Sequence, residues 1–151
     1  MVNYEFQVFA KAGIAPCPEA IVYGVCHGLF SPSVVSQFEE WMILNRGVDG
    51  SAELLLFEGN REEAIAALES AGYYDMGDGA DILRYAVLKN LKTEGRELLE
   101  DIESVYADFD YPKEMEPFIY YMPSMEGDRS EDALIRRFHE FVLSEKERLG
   151  L

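Results

Sequence analysis

In "GRELLEDIESVYADF", residues 95 to 109, Leu98 is followed by Leu99, Ile102, Val105, Tyr106 and Phe109 at steps of one, four, seven, eight and eleven. At 3.6 residues per turn these positions fall on one stripe of a helix, whereas a strand would need alternation with a period of two. The acids Glu100, Asp101 and Glu103 fall elsewhere on the same helix.

The same spacing recurs along the chain. Pro16 and Pro18 suit the first turn of a helix through "EAIVYGVCHGLF", and Gly28 supplies its stop. Ser31 is the expected N-cap of the next helix, with Pro32 at its first position; Val34, Val35, Phe38, Trp41, Met42 and Asn45 share a face and Glu39 and Glu40 lie outside. Asn60 is placed to cap "REEAIAALESAG", with Ala64, Ile65 and Leu68 inward and Gly72 ending it. A last helix from about Ser130 sets Ala133, Leu134, Phe138, Phe141 and Val142 at helical spacing. Residues 4 to 9, "YEFQVF", fit a short strand or a helical face equally well. The expected fold is therefore all-α, a single domain over residues 1–151 with about six to eight helices and possible N-terminal strand character.

Charge narrows the partners. Twenty-nine acids against thirteen bases give a formal charge of −16, which repels nucleic-acid backbones and anionic membranes and suits a basic protein. The N-terminus lacks the basic segment and apolar run of a secretory signal, and the uncharged stretch from Ala20 to Phe38 is broken by glycine, proline and serine, so a cytoplasmic location is expected.

Motifs with chemical potential are few. Cys17 and Cys26 with His27 resemble a zinc set only in composition, because nine helical residues put the two thiols on opposite faces. "DMGDGAD", residues 75 to 81, lacks the ligand register of a calcium loop and the lysine of a phosphate loop, and reads as a turn in which Asp78 or Asp81 caps the next helix. Neither His27 nor His139 belongs to a nucleophile motif. No cofactor, metal or catalytic residue is expected.

One stretch stands apart. "DFDYPKEMEPFIYYMPSMEGD", residues 108 to 128, interleaves six acids with five aromatic rings and three prolines. Pro112 is expected to hold Tyr111 extended and to open a short helix, with Lys113, Glu114 and Glu116 in its first turn, ending before Pro123; Phe109, Phe118 and Tyr121 would face the core. Asp108, Asp110, Tyr111, Glu114, Glu116 and Tyr120, with Met122 and Met125 nearby, form the candidate binding residues, an aromatic patch in an acidic rim suited to a basic partner. Asp110, Glu114 and Glu116 are expected to be solvated.

"YGVCHGLFSPSVV" and the later "YADFDYPKEMEPFIYYMP" make the chain similar to an uncharacterised family of small bacterial cytoplasmic proteins of about this length. The resemblance covers most of the chain and implies no catalytic residue. Small acidic proteins of this kind also resemble the immunity proteins that neutralise bacterial toxins. The favoured function is a non-enzymatic acidic binding protein, an immunity-type inhibitor of a basic toxin or nuclease. The alternatives are a hydrolase using paired carboxylates such as Asp108 and Asp110, and a self-associating structural adaptor.

Overall fold

The computed structural model describes residues 4–122 and 127–151, so Pro123 and Met125 lie outside the described residues. Among these the chain is all-α, with eight α-helices and one 3-10 helix: α1 (Val8–Lys11), α2 (Pro18–Cys26), α3 (Val34–Arg46), α4 (Ala52–Leu55), α5 (Arg61–Ser70), α6 (Gly79–Lys89), α7 (Gly95–Asp108), the 3-10 helix (Lys113–Phe118) and α8 (Glu131–Leu149). It packs as two compact units, Met1–Leu83 and Arg84–Leu151.

In the first unit α2 packs on α3 and α5, and α4 on α3 and α5. The ambiguous N-terminal stretch resolves into a single parallel bridge between Tyr4 and Phe30 followed by the one turn of α1. Pro18 opens α2 and Gly28, with φ of 70°, closes it. The Leu29 amide donates to the Gly24 carbonyl at 2.8 Å and the Gly28 amide to that of Val25 at 3.2 Å, the paired bonds that satisfy the last carbonyls of a helix ending in a left-handed glycine. Gly24 is needed for a different reason, since a Cβ there would collide with the Phe30 ring. The "YGVCHGLF" segment is thus a helix-ending device that seats Phe30 against Phe9, ring centroids 5.9 Å apart.

Two expectations fail in α3. It begins at Val34 with Ser33 in the cap position, and no side chain caps it. Ser31 instead accepts the Ser33 amide at 3.4 Å, and the Val34 amide donates to the Ser31 carbonyl, so "SPS" forms a turn that leads into the helix. Glu39 does not lie outside either. It is buried, and its carboxylate accepts the Ser51 amide at 2.9 Å where the chain enters α4. Asn60 caps α5 as expected, through a reciprocal pair in which its side chain accepts the Glu63 amide and the Glu63 carboxylate accepts the Asn60 amide.

In the second unit α8 packs on α7 and the 3-10 helix. The α7 stripe is buried along its whole length, from Leu98 to Phe109. Facing it across the interior, Ala133, Leu134, Phe138 and Val142 of α8 are buried, while Phe141 is half-buried and packs on Phe118 at 5.1 Å. Ser130 caps α8 by accepting the Ala133 amide. Phe109→Ala is expected to lower unfolding free energy by about 3–5 kcal/mol in a denaturant titration, because it empties a buried ring site at the end of the α7 stripe. A loss under about 1 kcal/mol would show that the stripe does not reach the corner.

Candidate functional site

Residues 108–122 of the acidic aromatic stretch are organised by a side chain that lies far from them in sequence. Arg84, in the apolar run "ILRYAVL" of α6, is buried, with its guanidinium 5.4 Å over the Phe141 ring. Its Nη1 donates to Glu114 Oε1 at 2.7 Å and its Nη2 to Glu145 Oε1 at 2.8 Å. Arg148 closes the set by donating to both Glu145 oxygens, at 2.6 and 2.9 Å. A buried cation is costly unless paired and hydrogen-bonded, and these carboxylates supply the pairing. Glu114 is therefore not a free solvated acid, although half its side chain meets water; it ties the 3-10 helix to α6. Arg129 and Arg137 hold the other end of that helix. Both donate to the Pro117 carbonyl, and Arg129 also donates to that of Ile119.

The corner before the 3-10 helix differs from expectation. Asp110 and Tyr111 both have positive φ, 62° and 55°, so Tyr111 is not extended. Again the cause is helix termination: the Tyr111 amide donates to the Tyr106 carbonyl at 2.8 Å and the Asp110 amide to that of Ala107 at 3.1 Å. Asp110 thus occupies the left-handed position that ends many helices and that glycine usually fills. Tyr111 takes a second left-handed residue before a proline, a conformation that L-residues and pre-proline positions both disfavour.

This backbone turns the Tyr111 ring outward. It is 56% exposed and stands edge-on to the buried Tyr106 at 5.2 Å. Tyr121, expected in the core, is 51% exposed and leans on the same Tyr106 at 6.4 Å. Burial pushes the Tyr106 hydroxyl above its ordinary range, and the charge of Glu116 adds to the effect. The Tyr121 hydroxyl is raised by desolvation and by Glu103, and burial raises the Glu103 carboxyl against the opposing pull of Arg96. The charges of Glu103 and Glu116 thus reach the hydroxyls of Tyr121 and Tyr106 respectively. Of the six candidate residues, Tyr111 lies at this face with Asp110 exposed beside it in the chain, Glu116 is half-buried in the 3-10 helix, Asp108 is half-buried in the last turn of α7, and Glu114 belongs to the Arg84 network. Tyr120 is already occupied by Arg96, whose guanidinium lies 4.1 Å from the ring centroid.

Elsewhere, among the described residues, no group of three or more His, Cys, Asp or Glu side chains is placed to hold a metal ion. Cys17 and Cys26 sit at the two ends of α2 as free thiols, and burial raises the pKa of each, which keeps them protonated and weakly nucleophilic near neutrality. His27 stacks on Tyr23 and approaches Asp75 at 3.4 Å on an exposed surface. No helix among the described residues is long and apolar enough to cross a membrane.

Fold and surface together define an all-α acidic protein with an exposed tyrosine face. The chain belongs to the bacterial family described as "Uncharacterized protein conserved in bacteria (DUF2247)", whose model matches residues 6–146. No curated protein matches the chain, and no solved structure does.

Two measurements check the site. The Glu145 carboxyl is held low by the hydrogen bond from Arg148, which with Arg84 outweighs burial; at Glu114 burial is the largest single influence and raises the carboxyl, but the Arg84 hydrogen bond, a backbone hydrogen bond and the Arg84 charge together lower it. Both therefore titrate lower folded than unfolded, so their stabilisation is complete above the ordinary carboxylate range near about pH 4.3 and is lost as pH falls through the depressed folded values. Glu145→Gln should cost about 3 kcal/mol at pH 7 and flatten the acid limb of a stability–pH curve, and an unchanged limb would remove the network from acid stability. Asp110→Gly should raise stability by about 0.5–1 kcal/mol by relieving the left-handed residue, and a loss of stability would mean that the Asp110 side chain holds the corner.

Proposed function

We propose that the protein is a non-enzymatic binding protein that captures a basic protein partner on its tyrosine face, in the manner of an immunity-type inhibitor covering the basic site of a toxin or nuclease. The observation that carries this reading is the outward pair Tyr111 and Tyr121, set on Tyr106, with the charges of Glu116 and Glu103 acting on the hydroxyls of Tyr106 and Tyr121. Rigid tyrosines supply large contact area at low entropic cost, and carboxylates around them favour a cationic surface. Two consecutive left-handed residues at the corner support the same reading, since backbone strain of this kind concentrates at functional sites.

The longer-range field also favours such a partner. Residues 1–83 carry thirteen acids against three bases and residues 84–151 carry sixteen against ten, so attraction of a basic protein comes from the whole chain while the tyrosine face provides contact. Electrostatic steering of this sort raises the association rate and falls with salt.

The test uses the full chain and a Tyr111→Ala/Glu116→Gln variant, each immobilised and exposed to extract of the native cells. The partner retained by wild type is identified, purified and followed in association kinetics over a salt series. Expected are a basic partner, association that slows steeply as salt rises, inhibition of the partner's activity on binding, and at least about tenfold weaker binding by the variant with its unfolding curve unchanged. Undiminished affinity in the folded variant would place the binding surface elsewhere. Self-association in light scattering, lost in the variant, would replace the inhibitor by the adaptor.

A further inference from the structure

The chain contains its own example of how a tyrosine and a carboxylate on this unit take a cation. The Arg96 guanidinium lies over the Tyr120 ring at 4.1 Å, its Nη1 donates to the Tyr120 hydroxyl at 3.2 Å, and the same nitrogen is 3.7 Å from Glu131. Ring face, hydroxyl and carboxylate thus act on one planar cation.

The Tyr111–Tyr121 face offers the same components. Both rings are more than half exposed, both rest on Tyr106, and Glu116 and Glu103 are near enough to act on the hydroxyls of Tyr106 and Tyr121. Among the described residues no arginine or lysine lies over either exposed ring, and none forms an ion pair with Glu103 or Glu116. Lys113 is exposed two residues beyond Tyr111 and takes neither role, while Arg96 acts on Glu103 only through its charge.

We propose that the Tyr111–Tyr121 face is an arginine-reading site, which takes the guanidinium of an arginine on the partner protein against the tyrosine rings with Glu116 or Glu103 at its edge. This rests on the binding reading above and specifies its chemistry. A guanidinium is planar, weakly hydrated and able to stack while donating sideways, whereas an ammonium is a compact, strongly hydrated charge that gains less from a ring face. The site should therefore discriminate between two residues of equal charge, which an acidic surface without rings does not.

The experiment titrates the isotope-labelled full chain with two short peptides, identical except that every arginine of one is lysine in the other, and follows backbone and tyrosine ring signals by NMR. Expected are shifts at Tyr106, Tyr111 and Tyr121, about tenfold tighter binding of the arginine peptide, and loss of that preference in Tyr111→Leu, whose exposed position leaves the fold intact by its unfolding curve. Equal affinity of the two peptides at this face would overturn the arginine site and leave the basic-partner reading standing. Shifts confined to other surfaces, or no binding of either peptide at low salt, would overturn both.

Discussion

The second unit is built around one buried guanidinium. Arg84 carries a full charge into a unit whose buried side chains are mostly apolar, Leu99, Ile102, Met115, Phe118 and Leu134 among them. That charge has to be met by carboxylates with suitable geometry, because the desolvation of an unpaired ion exceeds what any single apolar contact returns. Glu145 answers from α8 and Glu114 from the 3-10 helix, so three segments distant in sequence are fixed by one side chain. Apolar packing alone is less directional, and a 3-10 helix of six residues with Pro117 inside it has little intrinsic stability. Its position follows from Glu114 at one end and from Arg129 and Arg137 on its last carbonyls at the other.

That anchoring explains how the corner at Asp110 and Tyr111 is maintained. Two adjacent left-handed residues, neither of them glycine, would relax if the chain after Pro112 were free. They persist because α7 is buried up to Phe109 and the 3-10 helix is tied to Arg84, leaving few residues to join them. The turn also satisfies the carbonyls of Tyr106 and Ala107, and it leaves the Tyr111 ring exposed over the buried Tyr106. A residue pattern that gives a loop its shape here also gives it its surface chemistry.

How much of this is legible in the sequence depends on whether the cause is local. The α7 stripe, the Asn60 capping box, Ser130 as a cap, Pro18 at the start of α2 and Gly28 at its end all rest on residues within a turn or two of one another. Periodicity and end chemistry therefore reveal them. The Ser31 cap failed because a serine hydroxyl satisfies a nearby amide in a turn as readily as at a helix start, and "SPS" offers both choices. Spacing alone puts Glu39 outside, because its partner, the Ser51 amide, belongs to the next element. A tyrosine ring suggests a core position for Tyr121, yet it is half exposed and rests on Tyr106, a partner in another element that no local pattern names.

An all-α chain, most of its helix ends, its strong negative charge and the concentration of acids and rings between residues 108 and 128 are all written in the residues, since each follows from composition or from spacing within a few positions. What those acids do is settled by packing between distant segments. Glu114 became an internal ligand of Arg84, Tyr120 was taken by Arg96, and Tyr111 and Tyr121 were left to face solvent over Tyr106. The single visible sign of the first was an arginine inside an apolar run, and nothing local names its partners. Coulombic pairing in an interior selects whichever carboxylate the packing brings within reach, and that reach is a property of three dimensions.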